Sequence, residues 1–356
     1  MKKSVLLLCL VIMLTLSLFS CEGNILDEGT SSSGMPSEVD SSLMDESVDD
    51  SGVTSTPAMS EKLPSDSDDS VPKAEKKSIV VLGDSIARGY GLRDVEKQRF
   101  SSLLSEQLKK VYSDVSVANY GIDGQTGSEL LTLLQATPPT ELADCDYVII
   151  SIGGNNILQA IKSLTSVADE IGKVNTDVFR DYFIYLFAED EAVRQKYSYS
   201  CGVLNELFKT VNKAFDGEEF NAVIDKAEED LRSEIPMIVS EIKKINKNAE
   251  IYIQTVYNPY KNITVSLDGV EETLDLSTRG DKAVSKLNIP IVSLAKDNGY
   301  TVAPVYERFA RSKKPLTNAR FDATEANFNI DPHPDANGHI IIADIYFKLL
   351  TEAQND

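Results

Sequence analysis

Histidine occurs only twice in the 356 residues, as His333 and His339, and cysteine only four times. Two of the cysteines, Cys9 and Cys21, lie in the first stretch of the chain, which leaves Cys145 and Cys201 for the remainder. Two cysteines are too few for a disulfide framework, and they lack the paired spacing of a zinc site. An exported compartment would permit them to pair, but free thiols are the expectation. Positive charge is also scarce: 35 Lys and Arg face 56 Asp and Glu, for a net charge of −21. That balance excludes the clustered basic surface that displaces counterions from phosphate, and with it nucleic acid as a partner. No P-loop or dinucleotide fingerprint is present, and no histidine-bearing metal spacing, so neither a metal nor an organic cofactor is implied.

The chain opens with Lys2 and Lys3, an apolar run from Val5 to Phe19, then Ser20 and Cys21. The run is short for a bilayer-spanning helix and has the charged-then-apolar plan of a secretory signal. Its close, "LFSC", resembles the bacterial lipoprotein signal, in which the cysteine is lipidated and becomes the first residue of the mature chain. That resemblance implies a signal over 1–20, lipidation at Cys21, and a membrane partner engaged through the N-terminal lipid. The expected location is the outer face of the bacterial cytoplasmic membrane. From Glu22 to Lys77 the composition collapses to small and acidic residues, with fourteen Asp and Glu against four Lys. Such a segment cannot bury enough apolar surface to offset its ordering entropy, so 21–77 reads as a disordered acidic tether.

The domain expected over 78–356 alternates strands and helices. Apolar runs at 78–83, 115–121, 147–154 and 249–257, with a fifth strand at 300–306, read as strands. Continuous Val/Ile runs mark strands buried on both faces, as in a parallel sheet. Helical patterns fall at 95–112, 128–135 and 336–353, and at 218–248 with a bend at Pro236. The implied fold is α/β: a doubly wound, flavodoxin-like, mostly parallel sheet flanked by helices. A helical cap insertion is expected at about 157–215. Within it "DVFRDYFIYLFAED" is apolar around most of its circumference, and Phe183 and Phe187 are the candidates for contact with a substrate acyl chain.

In open α/β sheets ligands sit outside the carboxyl ends of the strands. The first three strands end in "GDS" (83–85), "NYGIDGQTG" (119–127) and "GGNN" (153–156), each an ordinary turn sequence alone. A fourth element, "DPHPDANGH" (331–339), holds His333 between Pro332 and Pro334, where the backbone is stiff and a helix interior is excluded. Together these four resemble an SGNH/GDSL-type hydrolase, over about Ile79 to Leu350, and "YNPY" and "HPDANGH" resemble its secreted lipase/esterase-like branch. The resemblance implies Ser85 as nucleophile and His333 as base. It implies an oxyanion hole from the Ser85 and Gly124 backbone N–H groups and the Asn155 amide. Two positions depart from the family pattern. Asn156 stands where the family often has Asp, and Ile330 occupies the position three before the histidine where the acid usually lies. Asp331 is the nearest candidate acid, with Asp322 as the fallback.

A serine hydroxyl needs a base to take its proton as it attacks, and neutral imidazole titrates in the right range. The expected activity is serine-dependent hydrolysis of carboxylic esters, of lipids or small acyl compounds, through an acyl-enzyme. Removal of O-acetyl groups from polysaccharide is the alternative with the same site. A non-catalytic surface binding module is the alternative of another class.

Overall fold

β1 (Lys77–Gly83) is an interior strand of the sheet, and its side chains alternate between two apolar layers as burial on both faces requires. Val80 and Leu82 pack into one layer, Ile79 and Val81 into the other, and all four are at most 1% exposed. Fully burying an aliphatic side chain of this size is worth roughly 1.5–3 kcal/mol, so these four together contribute about 6–12 kcal/mol to closing both layers. In the computed structural model, residues 75–161, 176–322, 327–329 and 331–352 are described. All of them belong to one compact unit; the second unit, Glu22–Pro72, lies outside the described residues, as do Cys21 and the segment before it.

Beside β1 run β2 (Val115–Gly121), β3 (Tyr147–Ser151), β4 (Glu250–Gln254) and β5 (Thr301–Ala303), in the order β2-β1-β3-β4-β5. Every pairing in this sheet is parallel. This is the flavodoxin-like order, whose direction of winding reverses between β1 and β3 and opens a crevice at their carboxyl ends. One layer is closed by α3 (Gly127–Ala136), α6 (Tyr199–Asp216), α7 (Glu218–Ile245) and α8 (Leu276–Ser293), through residues such as Leu130, Phe208, Leu231 and Leu287. The other is closed by α2 (Phe100–Leu108) and α10 (Ala336–Glu352), through Phe100, Leu104, Ile342 and Tyr346.

Four elements differ from the sequence expectation, the fourth strand among them, which stops at Gln254 instead of running to 257. The helix expected at 95–112 is broken: Val95–Gln98 ends at Arg99, which is extended, and α2 begins at Phe100. At the break the Phe100 N–H donates to Nδ1 of the buried His339 at 3.2 Å instead of back along a continuous helix. The fifth strand stops at Ala303, because Pro304 has no N–H to extend a ladder, and α9 (Val305–Arg311) follows. The third strand stops at Ser151, and Gly154 already opens α4 (Gly154–Ile161).

In the region of the expected insertion, helices run over Glu191–Tyr197, α6 and α5 (Thr176–Phe187), while 162–175 lie outside the described residues. Tyr182 of α5 is fully buried and its hydroxyl donates to the Asp268 carbonyl at 2.9 Å. α7 runs 28 residues with Pro236 inside it. Cys145 and Cys201 are free and buried.

Candidate active site

Where β1 and β3 end side by side, Gly83 has φ +126°, and a Cβ there would sit 1.9 Å from the Ser151 carbonyl oxygen. Only glycine lets the two strands stay in register at that edge. Asp84 follows as the cap of α1 (Ser85–Arg88): its Oδ1 accepts the Ile86 N–H at 3.0 Å and the Ser151 hydroxyl at 2.9 Å. Ser151 Oγ in turn accepts from Gln254 Nε2 at 2.7 Å, and Gln254 Oε1 accepts from the Tyr346 hydroxyl at 3.3 Å. This buried chain ties the ends of β1, β3 and β4 to α10. Burial pushes the Asp84 carboxyl up to about 6, against the opposing bonds from Ser151 and Ile86. Ser85, the first residue of α1, is 7% exposed.

His333 reaches this edge from the segment before α10. Its Nε2 lies 2.8 Å from Ser85 Oγ, and its Nδ1 is hydrogen-bonded to Asp331 Oδ1. Burial raises the Asp331 carboxyl, but the bonds and charge of His333 and the bond from Asn318 outweigh it and hold the group below its ordinary value. An ionised carboxylate can only accept, so Nδ1 of the neutral ring carries the proton and Nε2 is left to accept from the serine hydroxyl. The Tyr257 hydroxyl donates to the Pro332 carbonyl at 2.9 Å, and the Tyr90 ring lies over the imidazole at a centroid distance of 4.5 Å.

Ser85, His333 and Asn155 share the wall of a cavity of about 140 Å³. The rest of its lining is largely apolar, with Leu158, Phe215, Phe220, Val256, Leu276 and Val284 prominent. Arg279 adds a guanidinium to the lining, ion-paired to Asp216 at 2.6 Å.

The family model of GDSL-like lipases and acylhydrolases matches residues 81–341, which include Ser85, Asn155, Asp331 and His333. The chain belongs to the GDSL-like lipase/acylhydrolase family. It is therefore an ester hydrolase by family. It is 22% identical over 268 residues, 74% of this chain and 78% of the other, to the uncharacterized protein YpmR of Bacillus subtilis (strain 168). Among solved structures it is similar to the lipase Lip_vut3 from a goat rumen metagenome, with 16% identity, TM-score 0.47, and coverage of 76% of this chain and 95% of that one. It is also similar to an extracellular lipase from Streptomyces rimosus, with 17% identity, TM-score 0.46 and coverage of 78% and 99%. A third is a variant of Axe2, an acetyl xylan esterase from Geobacillus stearothermophilus, with 15% identity, TM-score 0.43 and coverage of 78% and 95%.

The other residues singled out in the sequence of this GDSL-like hydrolase fall in different places. Asn155 lines the cavity, and its Nδ2 donates to the Gln125 carbonyl at 3.1 Å. Gly124, at φ +78°, lines a separate depression with Ile122, Asp123 and Gln125. Asn156 turns away, its Nδ2 3.4 Å from Glu234 Oε2 on α7. Asp322 ends a short strand, Arg320–Asp322, and its side chain lies outside the described residues. Phe183 and Phe187 do not line the cavity: Phe183 packs against the core and Phe187 is 38% exposed. The aromatic wall is instead Phe215 and Phe220, edge to face at 4.8 Å where α6 gives way to α7. His339 is fully buried, and burial pushes its imidazole down to about 3, so it is a neutral acceptor for the Phe100 N–H. Among the described residues no group of three or more His, Cys, Asp or Glu could hold a metal ion, and no helix is long and apolar enough to cross a membrane.

Proposed function

We propose that this chain hydrolyses carboxylic esters through an acyl-enzyme formed on Ser85. The observation that carries the proposal is the unbroken series Ser85 Oγ, His333, Asp331 on the wall of an apolar cavity. His333 Nε2 takes the hydroxyl proton as Ser85 Oγ attacks the ester carbonyl carbon, and the carbonyl electron pair moves onto oxygen. Asp331 keeps the ring in the required tautomer and stabilises the imidazolium. The proton then passes to the alkoxy oxygen as its bond to carbon breaks and the alcohol leaves. Water repeats the sequence on the acyl-serine, giving the free acid and returning the proton to Ser85. The oxyanion is met by the backbone N–H of Ser85 and by Asn155, which stand at the cavity; Gly124, which lines the separate depression, has no contact that assigns it a part. One Asn155 Nδ2 hydrogen serves Gln125, which leaves the second for this task. Losing one such donor typically costs about 3 kcal/mol of transition-state stabilisation.

The acyl chain occupies the cavity beside Ser85. An apolar cavity of about 150 Å³ accommodates a six-carbon hydrocarbon, so esters of acyl chains near six carbons, from lipids or small molecules, are the preferred substrates. p-Nitrophenyl esters from acetyl to dodecanoyl, assayed beside acetylated xylan, test this. We expect kcat/KM to rise at least tenfold from acetyl to hexanoyl and Ser85→Ala to abolish turnover. Acetylated xylan as the best substrate, with no gain from a longer acyl chain, would transfer the assignment to polysaccharide deacetylation. Failure of a fluorophosphonate to label Ser85 would mark a non-catalytic binding module.

The pattern around Cys21, followed by the acidic segment, supports a lipid tether that holds the domain off the outer face of a bacterial cytoplasmic membrane. Cys21→Ala should move the protein from the membrane fraction to the soluble or unprocessed one; unchanged processing and partition would refute the tether.

A further inference from the structure

Between Asp331 and His333 stands a single residue, Pro332, so the acid and the base lie on one tight bend. Within it Asp331 Oδ1 has two tasks: it accepts the backbone N–H of His333 at 3.1 Å and the hydrogen bond from His333 Nδ1. The first is the Asx-type bond of a carboxylate to the backbone two residues on. By itself it leaves the carboxylate plane free to turn about the bond to Oδ1, and nothing in the bend fixes how far the imidazole stands from Ser85. Both freedoms are removed from outside. Asn318 Nδ2 donates to Asp331 Oδ2 at 2.9 Å, and the Asn318 backbone N–H donates to the His333 carbonyl at 2.7 Å. The neighbouring residues carry the same segment along the bend: Thr317 bridges Pro334, and the Asp335 N–H donates to the Leu316 carbonyl at 3.0 Å. Thr317 is itself anchored by its hydroxyl to the Pro259 carbonyl at 2.9 Å. From the opposite side the loop bearing Tyr90 closes on the same amide. Gly91, at φ +82°, comes so near that a Cβ would lie 2.8 Å from Asn318 Nδ2 and 3.1 Å from Asp331 Oδ2.

We infer that Asn318 is a positioning residue for this site, acting through Asp331: its amide locks the carboxylate plane while its backbone N–H sets the depth of His333. The inference rests on the reading of Ser85, His333 and Asp331 as nucleophile, base and acid. Asn318 is not bonded to Ser85 and does not itself line the cavity, so loss of its side chain acts on kcat and leaves ground-state binding alone. A displacement of about 1 Å in a catalytic group can lower the rate by about a hundredfold.

The test is a double-mutant cycle on a hexanoyl ester with wild type, Asn318→Ala, Asp331→Ala and the double variant, each checked by circular dichroism and thermal melting. Asn318→Leu, which keeps the backbone bond and the bulk but has no donor, runs in parallel in case the truncation lowers the melting temperature. We expect Ala and Leu to reduce kcat by ten- to a hundredfold with KM within twofold of wild type. In the Asp331→Ala background the further loss should be less than twofold, because a residue acting through Asp331 has nothing left to hold. A folded Asn318→Leu protein with kcat within twofold of wild type overturns the inference, as does a full multiplicative loss in the double variant. Asp331→Ala at wild-type activity, or an active Ser85→Ala, would instead bring down the reading of the site on which the inference depends.

Discussion

Asp84→Asn should gain stability relative to wild type as pH rises from 4 to 8, by an amount fixed by the titration of the wild-type carboxyl. The Asp84 carboxyl is enclosed at the end of β1, and burial lifts it from 3.8 to about 6. The folded state therefore holds the proton more tightly than the unfolded chain. The stability this confers is present in full below the unfolded value and is lost as pH rises through the folded one. A rise of about two pH units corresponds to about 3 kcal/mol, and full burial leaves no solvent screening to reduce it. Asparagine has no such titration and keeps an Oδ1 for the two donors that Asp84 serves, Ile86 N–H and Ser151 Oγ. Its Nδ2, in place of Oδ2, adds an offset that does not vary with pH. The assay is urea unfolding of both proteins between pH 4 and 8, read as the difference in unfolding free energy. That difference should shift in favour of Asp84→Asn by about 2–3 kcal/mol across the range and level off above pH 7. A difference that stays constant with pH would show that the carboxyl does not titrate high, and the argument from burial would be wrong.

His339→Gln should produce the opposite slope: burial, with the charge of His333 as the lesser cause, depresses the His339 imidazole to about 3, so wild type loses stability as pH falls below about 6.5. A glutamine carbonyl can still accept from Phe100 N–H, and the variant should show a shallower acid-side fall in urea midpoint between pH 7 and 4.5. Tyr257→Phe removes the hydroxyl that holds the Pro332 carbonyl. It should lower stability by about 1 kcal/mol and kcat several-fold, with KM unchanged; a change confined to KM would contradict a role in placing the bend. Phe215→Ala should lower the hexanoyl-to-acetyl ratio of kcat/KM by about tenfold, as loss of part of a buried ring requires, whereas Phe187→Ala should leave the ratio unaltered.

The parallel sheet and the segments that meet at its edge were legible because each is written locally. A doubly buried strand requires an unbroken apolar run, and "GDS", "GGNN" and "DPHP" each end or punctuate a run in a way that marks the same edge. Asp331 was the first candidate acid because it lies two residues before His333, but the sequence left Asp322 open, since spacing alone does not say which way a carboxylate in a bend points. Asn318 was not legible. It lies in "PLTN", with no periodicity and no motif, and its contact with Asp331 follows from the path of residues 316–318 beside 333–335. The aromatic wall was misplaced because a helix rich in rings, such as α5, does not reveal which neighbours it meets. Tyr182 and Phe183 are taken up by core packing, and the cavity is lined by Phe215 and Phe220 at the junction of two helices. The break at Arg99 depends on His339, 239 residues away from Phe100.

The hydrogen bond between Ser85 and His333 joins residues separated by 248 positions. Contacts of such long range form late, because the loop they close must first lose its freedom, and parallel ladders between distant segments are slow for the same reason. The helices flanking the sheet are local and form early. A half-folded domain thus has most of its helical content but no assembled Ser85–His333 pair, and ester turnover should await docking of the last crossover. Refolding followed by hydrolysis will lag behind refolding followed by far-ultraviolet ellipticity, and the interval between the two traces measures the time the sheet takes to close around its own edge.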